Sequence, residues 1–294
     1  MAISIKQNIR LLDGAMGSEL IRRGETLPNH IWSADSNFNN PELVYQIHKD
    51  YIDAGSNFIT TNTFRTTPRA YKKTGLSQSD SIVMAHRSLR IAVRLANKAA
   101  NNKLKILGSI APLEDCYEPK LFPGEKIAKN EFRQIGAWLV DEGIHIFLIE
   151  TMNSISETRA CLDAIFKFNI PIWVSFVLKN SMEILSGEKL VDAIRMIENY
   201  DVDCVLLNCN PIDRTIDAMN IVAKNWKRNW GIYPNLGIGE PSPDGIINQI
   251  YSDEEYMSVI DKSIKLGVNV LGGCCGSSIN HIKLITDYIA YNSI

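Results

Sequence analysis

No stretch of this chain is basic enough to grip a phosphate backbone, and no apolar run is long enough to cross a bilayer. Lysine and arginine number 31 against 33 aspartate and glutamate, a formal charge of −2 with the two signs interleaved. Nucleic-acid binding calls for a cationic stripe. The densest basic patch, Lys224, Lys227 and Arg228, is too small for one and reads as solvated surface. Apolar runs fall short of the ~18 residues a transmembrane helix needs. Met1 to Lys6 lack the apolar core and cleavage site of a secretory leader. A cytoplasmic protein with neither a membrane nor a nucleic-acid partner is therefore expected. The phosphate loop G-x-G-x-x-G is also missing: Asp13-Gly14-Ala15-Met16-Gly17-Ser18 stands after the first strand instead. That weighs against an open, doubly wound nucleotide fold. No internal repeat or low-complexity linker divides the chain, so a single domain over 1–294 is expected. Cysteine is sparse, six in 294 residues and at no disulfide-framework spacing. Such thiols suit a reducing compartment, where they bind metal or do chemistry.

What is present is regular. Short apolar, β-branched runs alternate with amphipathic stretches from end to end. The spacing predicts strands at Ile9 to Asp13, Asn57 to Phe64, Lys105 to Pro112, Ile144 to Glu150, Pro171 to Val177, Cys204 to Asn210, Asn229 to Asn235 and Val268 to Gly273. Helices are expected at Pro41 to Ala54, Ser81 to Asn101, Asn130 to Glu142, Ser154 to Phe168, Pro211 to Asn225, Asp253 to Leu266 and Ile279 to Tyr291, with a weaker one at Glu188 to Asn199. Ser154 and Ser252 offer capping side chains, and Pro41 and Pro211 suit a first helical position. Eight βα units in this length match a (β/α)8 barrel, with the site at the C-terminal ends of the strands. The long connections Pro112 to Lys129 and Pro234 to Ser252 would then lie over the catalytic face.

Polar and thiol groups sit where the apolar runs stop: Asp13, Thr61-Asn62, Ser109, Glu150, Ser175, Asn208-Cys209-Asn210, Tyr233 and Gly273-Cys274-Cys275. Adjacent residues on an extended chain point to opposite sides, and a disulfide between them is strained. A metal held from several directions explains Cys209, Cys274 and Cys275 better. Zinc is the natural candidate, because catalytic zinc sites commonly keep three protein ligands and one open position. Strands six and eight flank strand seven in a closed barrel, so the three thiols can converge. Duller readings suit the rest. Cys161 and Cys204 read as packing residues and Cys116 as a loop thiol. His48 and His86 read as ordinary helix residues, and Trp138, Phe166 and Trp226 as core. His281 could be a plain first-turn residue or a second layer behind the cysteines, and Asp13 and Glu150 alone could be capping carboxylates.

The chain resembles the zinc-dependent homocysteine S-methyltransferases, which include betaine–homocysteine methyltransferase and the homocysteine module of methionine synthase. The matching pieces are Asp13 to Leu20, Tyr51 to Asn57, Thr61-Asn62-Thr63-Phe64, Gly108-Ser109-Ile110-Ala111-Pro112, Leu148-Ile149-Glu150-Thr151, Asn208-Cys209, Tyr233-Pro234-Asn235 and Gly272-Gly273-Cys274-Cys275-Gly276. They run in order from the first strand to the last. The resemblance implies a (β/α)8 barrel in which Cys209, Cys274 and Cys275 hold Zn2+ and the homocysteine thiol takes the remaining position. It implies that Asp13 and Glu150 hold the amino group of homocysteine. Thr61, Asn62 and Asn208 are expected on the substrate side with them.

For the methyl donor, Asp13 to Gly17 and Gly108 to Pro112 look closest to members that use S-methylmethionine, with S-adenosylmethionine a weaker donor. Betaine-type members carry a tyrosine after the phenylalanine ending strand two, where this chain has Arg65. Trp32 and Phe64 remain to face a cationic donor. The expected activity is methyl transfer from a sulfonium to homocysteine, giving methionine. Its rivals are a betaine- or corrinoid-dependent enzyme and a non-catalytic zinc or redox thiol protein.

Overall fold

The computed structural model describes residues 9–238, 247 and 250–292. Eight parallel strands form its central sheet: β1 (Arg10–Leu11), β2 (Phe58–Thr60), β3 (Lys105–Ile110), β4 (Ile146–Met152), β5 (Ile172–Phe176), β8 (Val202–Asn208), β9 (Asn229–Tyr233) and β10 (Val270–Leu271). A separate antiparallel hairpin, β6 (Leu178–Asn180) with β7 (Glu183–Ile184), stands between β5 and β8. The sheet order is β1-β10-β9-β8-β5-β4-β3-β2, which leaves β1 and β2 at the two edges. Asn57 draws those edges together. Its N–H donates to the Leu11 carbonyl at 2.9 Å, and its Oδ1 accepts the Leu11 N–H at 2.8 Å. The result is the expected (β/α)8 barrel.

Strands enclosed on both faces have no reason to alternate in polarity. β4 and β5 are buried at every position, which is why they read as unbroken apolar runs. A cluster of Leu12, Leu107, Leu148, Trp173, Leu206 and Val270 fills the barrel interior, as barrels require. The intervening residues, such as Phe147, Ile149, Val174 and Val205, pack outward under the helices.

The helices are α1 (Met16–Arg22), α2 (Ser36–Asn39), α3 (Pro41–Asp53), α4 (Pro68–Lys72), α5 (Gln78–Ala100), α6 (Glu125–Asp141), α7 (Ile155–Ile165), α8 (Leu190–Ile197), α9 (Ile212–Asn225), α10 (Asp253–Lys265) and α11 (Ile279–Asn292). Ser154 caps α7, and Ser252 with Glu255 forms a reciprocal capping box on α10. Several boundaries differ from expectation. α5 starts at Gln78, because the Ser77 side chain accepts the Asp80 N–H. α6 starts at Glu125, right after Gly124 at φ 91°, so its charged first turn carries no apolar period to read. Pro211 precedes α9 instead of opening it. Phe166, expected in the core, is 46% exposed, because it lies in the 3-10 turn Phe166–Phe168 beyond the end of α7.

The candidate active site

The carboxyl ends of the barrel strands open into a cavity of about 400 Å³. Asp13, Thr61, Asn62, Glu150, Asn208 and all three expected cysteines line it. Part of the Pro234 to Ser252 connection lies outside the described residues. The Pro112 to Lys129 connection reaches the cavity through Asp115, Cys116 and Tyr117.

The thiols of Cys209, Cys274 and Cys275 lie within 4.8 Å of one another, with Sγ–Sγ separations of 3.0 Å (Cys209 to Cys274) and 3.9 Å (Cys209 to Cys275). Ligands at 2.3 Å on a tetrahedral ion stand about 3.8 Å apart, so these separations bracket the spacing a zinc ion needs. All three cysteines are free. The Cys275 thiol is held well below its ordinary value by hydrogen bonds from Cys209 and then Cys274, whereas bonding to Cys274 and Cys275 drives Cys209 well above. Such a set cannot ionise fully without a cation between its members, and the residues therefore fit a metal.

The adjacent cysteines are not on extended chain, and here the local geometry differs from the sequence reading. Ser277 N–H donates to the Cys274 carbonyl at 2.9 Å, and Gly276 has φ 82°. Cys274 and Cys275 are thus the first two residues of a tight turn with glycine at its left-handed third position, and the turn brings both thiols to one side. The matched segment after β1 holds this turn. Ser18 Oγ accepts the Gly276 N–H at 2.9 Å, and Ser277 Oγ accepts the Ala15 N–H at 3.3 Å. A Cβ on Gly273 would lie 2.5 Å from Ser277 Oγ, so the position before the pair must stay bare.

Cys209 itself is left-handed at φ 55°, as is Thr151 at φ 58° beside Glu150. Such backbone is costly for residues with a Cβ and persists only where the surroundings dictate it. Asn208 dictates part of it. Its Oδ1 accepts the Thr151 N–H at 3.0 Å and the Ser175 hydroxyl at 2.6 Å, and its Nδ2 donates to Thr151 Oγ1 at 2.9 Å. One buried carboxamide thus ties the ends of β4, β5 and β8 together. Asn208 lines the cavity, but its side-chain oxygen is already engaged. Asn62 is similarly occupied, bonded to Ser33 and Asn37. Thr61 Oγ1 accepts the Ser109 N–H at 3.1 Å. These side chains hold the strand ends in place.

Asp13 and Glu150 are buried. Asp13 Oδ2 accepts the Thr60 N–H at 2.9 Å, while Ser109 Oγ and the Tyr233 hydroxyl donate to Glu150. Burial raises Asp13 to about 7, partly offset by Thr60 and reinforced by the charge on Glu150. Burial likewise raises Glu150 to about 7, against its hydrogen bonds and with the charge on Cys275. Asp13 feels the charge on Glu150, and Glu150 that on Cys275, so two acidic groups share the cavity with the thiols.

Ser109 and Tyr233 appeared at strand ends in the sequence without a role; they are the donors that orient Glu150. Cys116 lies in the loop between β3 and α6 as expected, and it is buried and lines the cavity. His281 stands in the first turn of α11, its Nδ1 beside Ser278 and its ring edge-on to Tyr256, whose hydroxyl donates to the Gly272 carbonyl at 2.8 Å. Cys161 and Cys204 pack in the core as expected.

Three clustered thiols, spaced as a metal site needs them, stand with two buried carboxyls in one cavity at the strand ends of a barrel, an arrangement of the kind found in barrel enzymes. The family model for homocysteine S-methyltransferase matches residues 10–289, and the chain belongs to that family of small-molecule methyltransferases. Homocysteine S-methyltransferase 2 of Arabidopsis thaliana is 27% identical, over 94% of this chain and 91% of the relative. The selenocysteine methyltransferase of Astragalus bisulcatus is 27% identical, over 93% and 90%. The crystal structure of the homocysteine methyltransferase MmuM from Escherichia coli, metallated form, superposes with a TM-score of 0.82 at 26% identity, covering 96% of this chain and 97% of that one. Among the described residues, no helix is long and apolar enough to cross a membrane.

Proposed function

We propose that the protein transfers a methyl group from S-methylmethionine, and less readily from S-adenosylmethionine, to L-homocysteine, with Zn2+ held by Cys209, Cys274 and Cys275. The observation that carries this reading is the convergence of three thiols and two buried carboxylates on one cavity. Three soft thiolate ligands select zinc over hard cations. The requirement for free thiols favours a reducing compartment such as the cytoplasm, and the family match along nearly the whole length favours one domain over 1–294.

The acceptor is an amino acid with a thiol at one end. Asp13 and Glu150 take its ammonium group, and charge on the substrate draws both into their ionised forms. That fixes the amino acid and leaves its sulfur at the cysteine cluster. A free thiol with pKa near ~8.5 is mostly protonated at neutral pH; a bound zinc ion supplies the Lewis acidity that makes it a thiolate. The sulfur anion attacks the donor methyl in line. A new carbon–sulfur bond forms, the bond to the sulfonium breaks, and its electron pair returns to the leaving sulfur, now a neutral thioether. The thiol proton goes to solvent. The step needs alignment more than a general base, and Trp32 and Phe64 line the cavity to face the cation.

The test is a donor comparison. Zinc-loaded protein is incubated with homocysteine and S-methylmethionine, S-adenosylmethionine, betaine or a methylated corrinoid, and methionine is measured. S-methylmethionine should be the best donor and S-adenosylmethionine a slower one. Methionine formed from betaine or the corrinoid alone would contradict the reading.

A further inference from the structure

Arg65 is the only basic residue among those described as lining the cavity. It follows Phe64 just beyond β2, and its Nη1 donates to the carbonyls of Glu114 at 2.6 Å and Pro112 at 3.4 Å. Its guanidinium lies over the Phe64 ring at 5.1 Å. These contacts anchor one corner of the fork and one of its faces. Nη2 and Nε have no hydrogen-bond partner, and Arg65 makes no ion pair, among the described residues. The acids beside it are engaged elsewhere. The Glu114 carboxylate pairs with Arg69 and Lys73, while Glu157 accepts the Leu113 N–H at 2.8 Å and feels the Arg65 charge without a hydrogen bond or ion pair to it among the described residues. Asp115 accepts the Tyr117 N–H at 2.9 Å and is exposed. A half-buried guanidinium whose Nη2 and Nε carry no hydrogen bond among the described residues can take a planar anion, which that edge matches with two parallel hydrogen bonds.

We infer that Arg65 binds the carboxylate of the methyl donor, and that it selects sulfonium donors that are themselves amino acids. This rests on the sulfonium reading above. The acceptor has its own charged anchor in Asp13 and Glu150, whereas Arg65 belongs to the wall built from β2 and the connection between β3 and α6. A donor held there by its carboxylate has its cationic sulfur left to the aromatic lining and the thiol cluster. The residue acts on substrate binding and takes no part in bond making.

The experiment compares S-methylmethionine with its α-carboxamide, which keeps the sulfonium and loses the negative charge. Both are assayed with homocysteine on the zinc-loaded wild-type protein and on Arg65→Gln, which keeps a polar side chain and removes the guanidinium charge. A charge-assisted pair of bonds is worth about 10- to 100-fold in kcat/KM. The wild type should prefer the carboxylate donor by that factor, and Arg65→Gln should bring the two donors within about threefold, a loss of the same bonds. The KM for homocysteine and the zinc content should stay unchanged. A preference that survives in Arg65→Gln overturns the assignment. So does a raised KM for homocysteine with donor preference intact, which would place the acceptor carboxylate on Arg65. Failure of both donors with the wild type would instead refute the sulfonium reading, and this inference with it.

Discussion

Cys274→Ser should lose most of its bound zinc and nearly all methyl transfer while keeping its fold. A zinc site with four ligands is worth roughly 10–16 kcal/mol, so each thiolate carries about 3 kcal/mol, on the order of 100-fold in affinity. The hydroxyl of serine is a poor thiolate substitute at neutral pH. The backbone bonds that shape the turn do not involve the sulfur: Cys274 N–H donates to Pro234 O at 3.1 Å, and its carbonyl accepts from Ser277. Thermal unfolding of the metal-free proteins should therefore differ little between variant and wild type. Zinc content by elemental analysis and methionine formation should fall together, activity by more than about 1000-fold. An active, zinc-free variant would refute the metal assignment.

Glu150→Gln should raise the KM for homocysteine by about 100-fold or more and leave zinc in place. Removing one partner of a buried, hydrogen-bonded charge pair costs several kcal/mol. Glutamine matches the shape, and its amide can still meet Ser109 and Tyr233, so the loss reports charge and not packing. Zinc binding should persist because the hydrogen bonds of Glu150 run to Ser109 and Tyr233 and not to the cysteines. The same pair sets a pH dependence. Burial raises both Asp13 and Glu150 to about 7 in the empty site, so the ionised forms that hold an ammonium prevail only above that value. The kcat/KM for homocysteine should decline as pH falls below about 7, and Glu150→Gln should flatten the decline. Unchanged KM in the variant, or a flat wild-type profile from pH 5.5 to 7.5, would contradict the clamp.

The strands most legible in the sequence were those enclosed on both sides. β4 and β5 are apolar throughout because helices cover one face and the barrel interior the other. β1 and β10 are shorter than the sequence predicts, Arg10–Leu11 and Val270–Leu271, although the bonds from Leu12 N–H to Leu271 O and from Gly272 N–H to Ile232 O carry the pairing a residue further. The hairpin of β6 and β7 and the short helices α1, α2 and α4 escaped notice, because segments of two to seven residues show no period. The thiols could be picked out by residue type at strand ends. Their arrangement could not, because it depends on the left-handed backbone of Cys209 and Gly276. Asn208 shows the same limit: its task is set by Thr151 and Ser175, each more than thirty positions away, and only the folded chain brings them together. In the sequence Arg65 stands out only as a departure from betaine-type relatives, because the partners of its guanidinium depend on the folded wall of the cavity.

The central claim is that three cysteine sulfurs share one metal and leave a place for the substrate sulfur. X-ray absorption at the zinc edge, on the loaded protein with and without homocysteine, tests it most directly. The resting site should show the three sulfurs of Cys209, Cys274 and Cys275, and homocysteine should raise the sulfur count by one at the expense of a lighter ligand, with Zn–S distances near ~2.3 Å. A sulfur count that does not change when homocysteine binds, or a zinc ion held mainly by oxygen and nitrogen, would contradict the account.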